Sequence, residues 1–229
     1  MNPLAHVVAL IILLLPIWDV ATTRRMRAAR DVAARTAFYW QVIAVEWPLA
    51  VACVAFTGLQ RTFVFTMPAY GTWRPLHDFA VGLCVGGAVA LAASTLVLRA
   101  YWSRFSKQIA AIDYLLPKTR AQRILFFGVS VTAGVCEEII FRAFALAYLI
   151  TFLPAWPLGI ALLATAVLFG VCHAGQGPRG VAGTAALGFI LGVAYVGTGL
   201  LATPIVLHVI LDARFCFTPN QLAPDRRTP

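Results

Sequence analysis

Residues 124–153 read ILFFGVSVTAGVCEEIIFRAFALAYLITFL, and Glu137, Glu138 and Arg142 are the only charged side chains in that run. A helix needs about 20 predominantly apolar residues to cross the hydrocarbon of a bilayer, so this segment is long enough to span it. It carries its charges where charge is most costly. The pattern recurs on both sides: apolar runs at 4–20, 38–58, 79–98, 158–172, 181–196 and 200–217 are separated by short segments rich in Arg, Pro and Gly. Over 229 residues, 61% are apolar and 12% charged, which is not the composition of a soluble globular domain. Continuous runs, rather than alternating segments of about 10 residues, argue against a β-barrel, and helices satisfy every backbone polar group within the segment. The sequence predicts an all-α, polytopic integral membrane protein of about seven transmembrane helices. The segment 124–153 is long enough to bend into two pieces.

The net charge of +9 follows topology rather than nucleic acid, because the basic residues flank apolar runs and no soluble basic domain or aromatic RNA-binding motif is present. The first run has no basic residue before it, while Arg24, Arg25, Arg27, Arg30 and Arg35 follow it. A cleavable signal peptide has the opposite order and a small-residue cleavage site, so a retained anchor with its N-terminus outside is expected. The next connection holds only Arg61 and Arg74 around Pro68, Gly71 and Pro75, and should face outward. Arg99, Arg104, Lys107, Lys118, Arg120 and Arg123 mark a cytoplasmic stretch that should include an interfacial amphipathic piece. Pro154 and Pro157 make an outer turn, Gly175 to Gly180 with Arg179 an inner one, and Arg226 and Arg227 end the chain inside. This arrangement obeys the positive-inside rule. Arg predominance and short loops fit a bacterial inner membrane.

Three regions follow: N-terminal spans and basic loops over 1–123, a core carrying the chemistry over 124–217, and a short cytoplasmic tail over 218–229. Gly82, Gly86 and Gly87 in the third run, and Gly188 and Gly192 in the sixth, have the spacing that permits close helix contact. Cys53, Cys84, Cys136, Cys172 and Cys216 lie in or beside apolar runs without CxxC spacing, and read as small apolar fillers.

Within 124–153, Glu138 and Arg142 are i,i+4 neighbours on a helix and can pair along one face, whereas Glu137 is displaced by about 100°. Glu137 is thereby left free to act as a base on water, unless both acids simply share Arg142 as a packing clasp. His173 closes the run Phe169-Gly170-Val171-Cys172-His173 just before a Gly-rich turn, where a lone His is also an ordinary interfacial residue. His208 and Asp212 stand at i,i+4 on the last run, as a catalytic pair or as a hydrogen bond that fixes helix packing.

Glu137-Glu138-Ile139-Ile140-Phe141-Arg142 (EExxxR), Phe169 to His173 (FxxxH) and His208 to Asp212 (HxxxD) come in an order and spacing that resembles the CPBP family, the glutamic intramembrane endopeptidases that include type II CAAX prenyl proteases and bacteriocin-processing proteins. The resemblance spans roughly Leu125 to Phe217. It implies that Glu137 is general base on a water held with His173, that His208 and Asp212 stabilise the oxyanion, and that Glu138, Arg142 and Phe169 support the site. An Asn at the last position donates a hydrogen bond and an ionised Asp does not. Asp212 is therefore either a protonated donor or a group that orients His208; Asp also occurs at this position in the family. The implied reaction is CAAX-type or related endoproteolysis of a membrane-associated peptide or protein, with no cofactor and no nucleic-acid partner.

The nearest rival is a zinc metalloprotease with ligands among Glu137, Glu138, His173 and His208, although no HExxH motif is present. A thiol protease using Cys172 or Cys136 with His208 has no supporting signature. A transporter would favour internal repeats, which are not apparent, and a non-catalytic membrane binding protein is a further alternative. Glu46 and Asp19, also at membrane depth, are expected to be satisfied locally and to have no role.

Overall fold

The computed structural model describes residues 3–29, 31–65, 74–97 and 112–217. They form helices α1 (Pro3–Ala29), α2 (Val32–Thr57), the short α3 (Leu59–Phe63) and α4 (Arg74–Val97). Then come α5 (Arg120–Glu137), a π-helical stretch Glu138–Ala145, and α6 (Leu146–Phe152), followed by α7 (Leu158–Val171), α8 (Pro178–Thr198) and α9 (Ala202–Ala213). The fold is all-α; the β pairing among the described residues is a single antiparallel bridge between Val64 and Leu200.

Among the described residues, four helical segments are long and apolar enough to cross a membrane: Pro3–Ala29, Val32–Thr57, Arg120–Phe152 and Pro178–Thr198. Val81–Leu91 and Leu158–Val171 are shorter apolar stretches. α9, at 12 residues, is about 18 Å long, less than the hydrocarbon thickness. The connection around Pro68 and Gly71 that was expected to face outward, residues 98–111 of the stretch expected to be amphipathic, and the tail with Arg226 and Arg227 lie outside the described residues.

Residues 124–153 do not break into two helices. Thr119 caps α5, its Oγ1 accepting from the Gln122 amide at 3.1 Å, and the helix continues without interruption to Phe152. What changes midway is the winding: the amide of Leu146 reaches Phe141 O, the five-residue step of a π turn. Such turns occur mostly as local bulges within α-helices, and frequently at functional sites. This helix is the axis of the bundle, with 56% of its apolar window buried against 17% for α1 and α2. Ile139, Ile140, Phe141 and Phe144 pack there with Cys53, Ala161, Phe169 and Tyr195 from the surrounding helices.

Small residues set the close approaches, though not all those expected. A Cβ on Gly188 would stand 2.8 Å from Phe169 Cδ1, and one on Gly192 would stand 3.0 Å from Leu162 Cδ2, so α7 and α8 touch along the predicted glycine line. A Cβ on Gly82, Gly86 or Gly87 would meet nothing within 4 Å among the described residues, so the contact that their spacing permits is not made there. α4 packs instead through Cys84 and Ala88 on Leu191, Ala194 and Leu207. All five cysteines are free and buried. Gly134, which the sequence did not single out, lets α9 pass close to α5: a Cβ there would be 3.0 Å from Val209 N.

The start of α9 is pinned. Gly199 adopts the left-handed conformation at φ 70 that ends α8. Phe65 N then donates to Gly199 O at 2.9 Å and Leu201 N to Phe63 O at 3.0 Å. These bonds fix where α9 begins, and hence the depth at which His208 sits.

Candidate active site

Three elements deliver the predicted residues to one place. The π stretch and the residue before it supply Glu137, Glu138 and Arg142; α7 supplies Phe169 and the turn after it His173; α9 supplies His208 and Asp212. Glu138 is fully buried and Arg142 nearly so, at 0% and 3% side-chain exposure, and Glu138 Oε1 lies 3.0 Å from Arg142 Nη1. The i,i+4 pair read from the sequence is therefore formed. Arg142 Nη2 also donates to Gly188 O at 3.2 Å, and its guanidinium stacks 4.3 Å above the Phe169 ring.

Glu138 has a second partner that spacing did not reveal. His208 Nδ1 is 2.7 Å from Glu138 Oε1, a buried hydrogen bond across 70 residues of chain. A carboxylate only accepts, so Nδ1 carries the hydrogen and Nε2 is the nitrogen turned to the rest of the site. Nε2 lies 3.6 Å from Glu137 Oε2 and 3.7 Å from Asp212 Oδ2. The Asp212 distance exceeds a hydrogen bond, so the bond that holds the His208 ring is the one to Glu138.

His173 lies just past α7, with φ −109 and ψ 28. Its Nδ1 is 2.8 Å from Phe169 O, and a carbonyl also only accepts, so Nε2 is again the outward nitrogen. That Nε2 is 3.7 Å from Glu137 Oε1. The two imidazoles thus present like atoms to opposite oxygens of one carboxylate. Phe169 lies between them, with ring centroids 4.9 Å from His173 and 6.0 Å from His208. Glu137 Oε2 is buried and has no hydrogen-bond partner within the protein.

Two acids set aside in the sequence reading need correction. Glu46 Oε2, on α2, is buried without a hydrogen-bond partner, so it is not locally satisfied. Asp19 is bonded far along the chain: its Oδ2 accepts from the Gly175 amide at 2.6 Å. The signal available in sequence was that Asp19, Thr23 and Arg27 stand four residues apart, on one helix face. Cys136 and Cys172 are buried, and the Cys172 thiol points at Ile12 O at 4.0 Å. Among the described residues, no three His, Cys, Asp or Glu side chains are arranged to hold a metal ion.

Residues 119–214 match the family model described as type II CAAX prenyl endopeptidase Rce1-like. This segment, somewhat under half of the chain, is similar to that family. It contains every residue of the cluster from Glu137 to Asp212, while α1, α2 and α4 precede it. The match and the apolar helices agree on an integral membrane protein. No curated protein and no solved structure gives a significant match to the chain.

The glycine line lies behind this cluster. Gly188→Val is expected to drive Phe169 off its place, because a Cβ there stands 2.8 Å from Phe169 Cδ1, and to disturb the carbonyl that receives Arg142 Nη2. Overpacking of this kind costs about 1–3 kcal/mol. Equilibrium unfolding in mixed detergent micelles would measure it, and unchanged stability would show that the ring has room to move.

Proposed function

We propose that the protein is a glutamate-dependent intramembrane endopeptidase that cleaves a membrane-associated peptide or protein, in CAAX-type processing or a related one. The observation that carries this is the placement of Glu137, a carboxylate whose two oxygens face the Nε2 atoms of His173 and His208 at 3.7 and 3.6 Å. Those distances are too long for direct hydrogen bonds and suit a small molecule held off the line between the groups.

Amide hydrolysis needs a base on the attacking water and donors on the developing oxyanion. In this reading, water sits against Glu137 Oε1 and His173 Nε2, and Glu137 takes its proton as the oxygen attacks the scissile carbonyl. His208, held through Nδ1 by Glu138, presents Nε2 to the oxyanion and donates when its ring carries both protons. Asp212 in protonated form would be a second donor. Glu137 then returns its proton to the leaving amine, so no covalent enzyme intermediate forms. The Rce1-like family supports the reaction class. The distribution of Arg and Lys supports a bacterial inner-membrane location with the N-terminus outside and the C-terminus in the cytoplasm.

The test is cleavage of a membrane-embedded reporter-peptide library by purified protein, for wild type and Glu137→Ala, each with and without a strong zinc chelator. Cleavage by wild type should persist in chelator and vanish in the variant. Loss of wild-type cleavage in chelator would move the assignment to a zinc peptidase, and cleavage indifferent to Glu137 would sink the base.

A further inference from the structure

His173 stands beyond the regular part of α7, on a single 3₁₀ turn, Ala174–Gln176, with glycines at 175 and 177. Such a turn has many conformations available to it, yet His173 Nε2 has to meet Glu137 from one direction. The bonds internal to the turn, Gln176 N to His173 O at 2.9 Å and Gly177 N to Ala174 O at 3.0 Å, shape it but do not tie it to the bundle.

The tie comes from α1 and reaches both polar groups of Gly175. Asp19 Oδ2 accepts from its N–H at 2.6 Å, and Arg27 Nη2 donates to its carbonyl at 2.9 Å. The Tyr114 hydroxyl donates to that carbonyl at 3.4 Å, beneath the Arg27 guanidinium, which lies 4.5 Å over its ring. Thr23 Oγ1 donates to the other oxygen of Asp19 at 3.5 Å. The contact leaves no space for a side chain: a Cβ on Gly175 would stand 2.7 Å from Thr23 Cβ and 2.9 Å from Asp19 Oδ2. Asp19, Thr23 and Arg27, four residues apart, form one face of α1, and that face continues past the apolar run ending near Val20. The extra turns of α1 are thus accounted for by the seat they make for the His173 turn.

We propose that Asp19 is a positioning residue: with Thr23 and Arg27 it clamps Gly175 and so fixes the aim of His173 Nε2 at Glu137. The first helix, which lies before the segment similar to the Rce1-like family, is on this account part of the working site. The proposal rests on the reading of Glu137 and His173 as the pair that holds water.

The experiment uses the full chain in detergent or nanodiscs and compares Asp19→Ala with Asp19→Asn, whose amide oxygen still accepts from Gly175 N–H. Two quantities are read: kcat and KM on the reporter peptide, and the ¹⁵N side-chain resonances of His173, identified by their loss in His173→Ala. Asp19→Ala should lower kcat on the order of 10²-fold, the effect of a catalytic group displaced by about 1 Å. KM should stay within about twofold, as when only transition-state interactions are lost. The His173 resonances should shift in Asp19→Ala and keep their wild-type positions in Asp19→Asn, which should also keep most of kcat. In a His173→Ala background, Asp19→Ala should cost nothing more. Unshifted His173 resonances in Asp19→Ala, an Asn variant as damaged as the Ala variant, or a full further loss in the His173→Ala background would each overturn the clamp. Should wild type cleave nothing, the hydrolysis reading fails by itself, and the resonances still decide whether Asp19 aims His173.

Discussion

Glu137→Gln is expected to lower kcat by about 10²–10⁴-fold, the range for loss of a general base, with little loss of stability. The amide keeps the shape of the side chain and cannot take a proton from water. Glu137 makes no contact with either histidine shorter than 3.6 Å, and its Oε2 is buried without a hydrogen-bond partner. Removing its charge therefore breaks no buried bond. Glu138→Gln should behave differently although the residues are adjacent, because one oxygen of Glu138 serves both Arg142 at 3.0 Å and His208 at 2.7 Å. That variant should lose stability as well as activity. Single-turnover cleavage and unfolding in mixed micelles, run on both variants, separate the two carboxylates. A Glu137→Gln protein that still cleaves within a few-fold of wild type would mean that another group is the base.

The difference between the two acids was half legible in the sequence. An α-helical 100° step puts Glu138 and Arg142 on one face and turns Glu137 away, and the ion pair formed as that spacing requires. Spacing says which residues share a face, but not which faces of different helices meet. The bond from Glu138 to His208 crosses 70 residues, and no spacing within one helix announces it. The π turn was hidden for a related reason: nothing in Glu138 to Ala145 breaks a helix, and the changed winding is a tertiary outcome. Gly82, Gly86 and Gly87 carried the same signal as Gly188 and Gly192, yet among the described residues only the second set met a partner. Asp19 was misjudged because an acid at the end of an apolar run looks local until the Gly175 turn is brought against it. The all-helical membrane fold was the most legible part, since it depends on composition and run length rather than on which surfaces pair.

Arg142→Leu should have the largest effect on folding. Its Nη1 lies 3.0 Å from Glu138 Oε1, its Nη2 donates to Gly188 O at 3.2 Å, and its guanidinium covers Phe169 at 4.3 Å. Removing the cation leaves the fully buried Glu138 carboxylate with His208 as its remaining partner, and breaking a buried pair on one side costs about 3–5 kcal/mol. Arg142→Lys should recover only part of this, because an ammonium lacks the planar face that stacks on the ring and the fork that reaches two acceptors at once. Glu138→Gln combined with Arg142→Leu should destabilise by less than the sum of the two single changes, since the double variant leaves no unpaired charge. Activity should not follow stability in that double variant: an amide at 138 holds His208 Nδ1 less firmly than a carboxylate does, so its Nε2 loses its aim. A double variant regaining both stability and cleavage would make the buried pair a packing clasp and nothing more. One that regains stability alone would place the purpose of the pair in the orientation of His208.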